Sequence, residues 1–185
     1  MDKAIYVIFT KPNTIVSKVI KFATSDPYTH VGISLDDPFK NFYSFSRKYT
    51  HIPIPAGFVQ ENWNNFNYQS NPNMPVCIMK VDVSEIQFEA VKSIIQNFEL
   101  SSSAFNYNVV GLFLCKTNVT VQRSKHYFCS EFVHEVLVHS RILPKLKHSQ
   151  HVSPHEIYEL LSDKERILEG SLNNMLDKFS ESMLV

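Results

Sequence analysis

Two short segments about a hundred residues apart constrain this chain more than anything else in it: Tyr28-Thr29-His30-Val31-Gly32-Ile33 and Tyr127-Phe128-Cys129-Ser130-Glu131-Phe132-Val133. The first has the β-branched character of a strand entered at its histidine. In the second, Phe132, Val133, Val136 and Leu137 recur at helical spacing, which predicts an amphipathic helix over 129–139 with Cys129 in its first turn. A thiol at a helix N-terminus and an imidazole at a strand edge are the two halves of a cysteine nucleophile system. Here the histidine comes first in the chain and the cysteine last. Few folds use that order.

The rest of the chain reads as strands and helices that are partly segregated. Residues 4–9 are an apolar, β-branched run and predict a buried strand; Ile15–Phe22 carries a short helical stripe that Asp26-Pro27 ends. His30–Leu35 and Asn41–Arg47 form a hairpin around the turn Asp36-Asp37-Pro38. The stretch 52–75, rich in Pro and Asn with scattered aromatics, reads as an irregular surface excursion. Val76–Val83 is another strand, and Ser84 caps a helix that runs to about Phe98. Tyr107–Leu114 is helix or strand. Ser153-Pro154-His155-Glu156 starts a helix ending near Leu161. The expectation is an α+β fold, an antiparallel sheet packed against helices, with one domain over 1–162 and a C-terminal tail over 163–185 that is helical or loosely ordered.

Composition narrows the function classes. Eighteen basic residues balance eighteen acidic ones in no long blocks, so nucleic acid is not an expected partner. Nothing approaches a transmembrane helix, and the apolar N-terminus is too short for a signal peptide, so the expected setting is cytoplasmic. Membrane contact is left open but not indicated. The cysteines, Cys77, Cys115 and Cys129, are odd in number and lack metal-ligand spacing, and the histidines match no zinc pattern. No metal site is expected.

A thiol is a poor nucleophile until it loses its proton, at a pKa of about 8.5 when free. A helix start aims unpaired N–H groups and the positive end of the dipole at the sulfur. A neighbouring histidine can take the proton and return it to the leaving group, and the Cys129 N–H can serve half of an oxyanion hole. The competing reading is bland: a cysteine between Phe128 and Phe132 is also well explained as core. On residue types alone that reading is favoured.

Resemblance shifts the balance. Thr29-His30-Val31-Gly32-Ile33 followed by a hairpin, then Phe128-Cys129-Ser130-Glu131-Phe132-Val133, resembles the circularly permuted NlpC-type branch of the papain-like superfamily, which includes bacterial cysteine hydrolases and lecithin:retinol acyltransferase-like enzymes. The resemblance covers roughly residues 4–162. Tyr107-Asn108-Val109-Val110-Gly111-Leu112 and Ser153-Pro154-His155-Glu156-Ile157-Tyr158 agree with it in order. It implies a permuted papain-like fold and an amidase-like or peptidase-like hydrolase, or an acyltransferase, working without cofactor through an acyl-enzyme. Cys129 is then the nucleophile and His30 the proton shuttle, with a small peptide or acylated molecule as substrate.

The family's third polar residue lies on the strand after the histidine, where Ser44 falls here. A hydroxyl can accept the ring N–H but cannot stabilise an imidazolium as a carboxylate does. That departure keeps a second expectation in play, a catalytically weakened binding module, beside a third, a lipid acyltransferase. Tyr28, Tyr127 and Glu131 flank the catalytic candidates and are the candidate substrate contacts.

Overall fold

The sheet is built outward from β1 (Lys3–Thr10), whose apolar residues face both ways: Ile5, Val7 and Phe9 to one side and Ile8 to the other, all fully buried. A strand buried on both faces belongs in the middle of a sheet, and that is where β1 lies. The computed structural model describes residues 3–12, 26–47, 56–64, 68, 70–104, 128–144 and 152–176. The expected helix over 15–22 and the ambiguous segment 107–114 lie outside them.

Among the described residues the fold is α+β, with a six-stranded antiparallel sheet in the order β4-β3-β2-β1-β5-β6. β2 (His30–Ser34) pairs with β1 so that His30 stands opposite Thr10. β3 (Asn41–Arg47) and β4 (Ala56–Asn62) continue the sheet on that side, with Glu61 opposite Phe42 and Ser44 opposite Val59. On the other side β5 (Pro75–Val83) pairs with β1, and β6 (Glu165–Ser171) closes the far edge.

One face carries the helices α1 (Glu85–Ala104), α2 (Phe128–His139) and α3 (Pro154–Leu160). Val91, Ile95, Phe132, Val133, Val136, Leu137 and Ile157 bury against the β1 and β2 side chains of that face. Ser84 and Ser153 begin their helices with reciprocal caps. Each hydroxyl accepts from the N–H three residues on, at 3.3 Å and 3.2 Å, while Gln87 and Glu156 reach back to the cap N–H at 2.9 Å and 2.6 Å. An aromatic cluster of Phe45, Phe58, Phe98 and Phe132, with ring centroids 5.3–6.0 Å apart, locks α2 onto β3 and β4. That contact fixes where the N-terminus of α2 points.

The opposite face has its own core of Ile8, Phe42, Trp63, Tyr68, Met74, Val76 and Ile78. Leu168 of β6 joins it, as do Leu172 and Met175 from a helical turn over 172–176. The Leu172 N–H donates to the Met74 carbonyl at 2.9 Å and the Asn173 N–H to that of Pro72 at 3.0 Å.

Three expectations need correction. Residues 56–62, read as part of an irregular excursion, are strand β4. Phe58 faces Phe45 across the pair, and cross-strand packing of this kind overrides weak local signals. Residues 165–171, read as part of a helical or loose tail, are an edge strand of the same sheet, so the sheet does not stop at residue 162. The helix from Glu85 extends to Ala104, a turn and a half past the expected end. No helix among the described residues is long and apolar enough to cross a membrane.

Candidate active site

His30 is the first residue of β2, and its entry into the sheet is tied by the Thr29 N–H, which donates to the Thr10 carbonyl at 3.0 Å. Alternation along the strand puts Val31 in the helix-side core and turns His30 to the opposite face. Its ring Nε2 lies 2.7 Å from Glu61 Oε1, and its side chain keeps 11 % of its surface exposed. At the end of the strand the ring also comes near enough to the Cys129 thiol for the two to interact electrostatically.

Cys129 is the second residue of α2, held there by the packing of Phe132, Val133 and Val136 below it. It is 7 % exposed, whereas Cys77, in the middle of β5, is fully enclosed. Burial and the nearby Glu169 carboxylate push the Cys77 thiol up to about 11. Cys77 is therefore a packing thiol.

The third member of the constellation is Glu61, which the sequence reading missed. Its carboxylate is buried and accepts from three side chains. Oε1 takes His30 and Ser44, and Oε2 takes the Tyr68 hydroxyl at 2.5 Å. Ser44 and Glu61 are diagonal neighbours on the same face of the β3–β4 pair. Ser44, expected to orient His30 itself, instead donates to Glu61, and Glu61 bonds the ring. The expectation failed because 52–75 was taken as loop, which hid the alternation that puts Val59 and Glu61 on the same face as Ser44. The available signal was a lone carboxylate inside Gly57-Phe58-Val59-Gln60-Glu61.

Electrostatics follow from this arrangement. Burial works against a charged His30, but the Glu61 carboxylate and then Cys129 overcome it and hold the imidazolium well above its ordinary range. Burial likewise works against an ionised Glu61. The His30 charge, with the donors His30, Ser44 and Tyr68, keeps it ionised and below the usual carboxylate range. Burial and the adjacent Glu61 charge raise Tyr68 well above an ordinary phenol, so it stays a donor.

The substrate-contact candidates fare differently. Tyr28 is buried, with its ring against Phe9 and Tyr158 and its hydroxyl near the Cys77 thiol. Glu131 stands half-buried in the first turn of α2, where an acidic residue complements the helix dipole. Tyr127 lies outside the described residues. Among the described residues, no group of three or more His, Cys, Asp and Glu side chains is arranged to hold a metal ion. Comparison with protein-family models, curated proteins and solved structures found no match.

Proposed function

We propose that this chain is a cysteine hydrolase or acyltransferase acting on an amide or ester, with the permuted NlpC-type papain-like architecture. A single observation carries the reading. One imidazole is bonded to a buried carboxylate and electrostatically coupled to a thiol at a helix start. The doubt attached to Ser44 concerned a hydroxyl in place of a carboxylate. Glu61 supplies the carboxylate, and so the reading as a weakened binding module loses its main support.

In this mechanism His30 withdraws the Cys129 proton and rests as an imidazolium beside Glu61. The sulfur attacks the substrate carbonyl carbon, and the C=O π pair moves onto oxygen. The N-terminal amides of α2, Cys129 N–H among them, face that developing charge. Collapse of the intermediate breaks the C–N or C–O bond, and the leaving amine or alcohol takes its proton from His30. Water, or an acceptor nucleophile, then gives its proton to His30 and attacks the thioester, which releases the acyl group and the thiol. Small peptides and acylated amines or alcohols are the proposed substrates.

The test is residue-resolved alkylation. Iodoacetamide at pH 6–7, read by peptide mass spectrometry, should label Cys129 far faster than Cys77. An activated acyl ester should leave an acyl adduct on Cys129 that His30→Ala does not form. Equal labelling of the two cysteines, or an adduct unaffected by loss of His30, would overturn the proposal.

A further inference from the structure

Glu61 has two carboxylate oxygens, and the proposed mechanism uses only one. Oε1 faces His30 and Ser44. Oε2 faces Tyr68, a member of the core of the second face. A carboxylate oxygen buried without a donor is strongly disfavoured in its charged form. The Tyr68 hydroxyl donates to that oxygen at 2.5 Å from a side chain that is 1 % exposed. The Tyr68 ring packs against Trp63 and Phe42, at centroid distances of 5.3 Å and 6.1 Å. Beside it the Thr10 hydroxyl is buried, near enough to act on the phenol though outside hydrogen-bond geometry. Thr10 is the strand partner of His30.

We infer that Tyr68 is a positioning residue, which keeps Glu61 ionised and aimed at His30 by occupying its second oxygen. The inference rests on the Cys129–His30–Glu61 reading and adds a fourth, remote member to it. Tyr68 donates to Glu61 and is placed to act through that carboxylate. Among the described residues, the groups facing the Glu61 carboxylate are His30 from β2, Ser44 from β3 and Tyr68 itself, with Cys129 of α2 beyond the His30 ring. Of these, only Tyr68 belongs to the apolar core of the second face. It thereby links the packing of that core to the charge state of the site.

The alternative is that Tyr68 merely fills space, and two substitutions separate the cases. Tyr68→Phe keeps the ring and removes the donor. Trp63→Phe loosens the same core and keeps the donor. The direct readout is the Glu61 carboxyl titration by 13C NMR in the folded protein, which needs no catalytic activity. Loss of a hydrogen bond to a charged group should raise its midpoint by about one to two pH units in Tyr68→Phe. The acid limb of Cys129 alkylation should move with it. Trp63→Phe should lower the melting temperature and leave both midpoints in place.

Should Tyr68→Phe fail to fold, site-specific replacement of Tyr68 by a fluorotyrosine makes the phenol a stronger donor, and the Glu61 midpoint should fall. An unmoved Glu61 midpoint in the Tyr68→Phe or fluorotyrosine protein overturns the inference, as does an equal rise in Trp63→Phe. Wild-type Cys129 without enhanced reactivity would instead sink the proposed function, and the carboxyl titration would still decide the role of Tyr68.

Discussion

Glu61 Oε1 lies 2.7 Å from His30 Nε2, although the two residues sit on strands that are not neighbours in the sheet. β3 runs between them. At about 4.8 Å per strand spacing, the side chains must meet over its back. They can do so because β3 carries Ser44 there, and its Oγ donates to the same carboxylate oxygen. A large apolar residue at position 44 would wedge the pair apart. The short side chain that looked like a weak catalytic partner in the sequence is the gap through which the stronger one reaches.

Glu61→Gln keeps the length of the side chain and removes its charge. His30 then loses the group that most favours its imidazolium. Turnover of an activated ester is expected to fall about 10²–10⁴-fold in kcat/KM, the range for impaired acid–base catalysis. Steady-state kinetics on the two proteins checks this. A variant as active as wild type would remove Glu61 from the mechanism.

Ser44 acts through Glu61, and a double-mutant cycle can show it. Ser44→Ala removes a hydrogen bond to a charged group, an interaction worth about 1.5–3 kcal/mol. It is expected to weaken catalysis in the wild-type background and to have little further effect once Glu61 is Gln. Equal losses in the two backgrounds would mean that Ser44 serves His30 or the substrate directly.

The ion pair should leave a signature in stability. His30 titrates well above 6.5 in the folded chain, so its contribution is full below 6.5 and fades as pH rises through the folded value. Glu61 titrates below 4.5, so its contribution is full above 4.5 and fades as pH falls through the folded value. Both are present together between 4.5 and 6.5. Urea midpoints of wild type and Glu61→Gln should therefore differ most between pH 4.5 and 6.5, and the gap should narrow as pH falls below or rises above that window. A gap that is constant, or widest in alkali, contradicts this account.

The legible parts of the fold were those with strong local signals. The two-sided apolar run of β1, the Ser84 and Ser153 caps and the Phe132-to-Leu137 stripe of α2 each announce their element, and each formed as read. His30 and Cys129 could be paired because a strand start and a helix start are both visible locally. Glu61 and Tyr68 could not. Their roles depend on a strand order that brings β4 beside β3, and on a core that forms only when residues 168–175 fold back over the sheet. β6 was missed for a similar reason: an edge strand whose only large apolar residues are Ile167 and Leu168 has little apolar signature and takes its hydrogen bonds from β5.

Gly32, two residues after His30, offers the sharpest test of how tightly this region is packed. A Cβ there would lie 2.4 Å from Phe42 Cδ2 and 2.9 Å from the Tyr43 carbonyl oxygen, and the second contact is backbone that cannot swing aside. Phe42 is fully buried and bears on both Trp63 and Tyr68, so a displaced ring would disturb the residue beneath Glu61. Gly32→Ala is expected to cost about 1–3 kcal/mol, as overpacking does. At this chain length that lowers the melting temperature by roughly 2–12 °C. Gly57 on β4 is the control, because a Cβ there meets nothing within 4 Å. Gly57→Ala should be neutral or stabilising by about 0.5–1 kcal/mol, since alanine loses less backbone freedom on folding. Thermal melts of the two variants decide the matter: equal melting temperatures would mean that the sheet yields at Gly32 and that the Phe42 ring is not held in place.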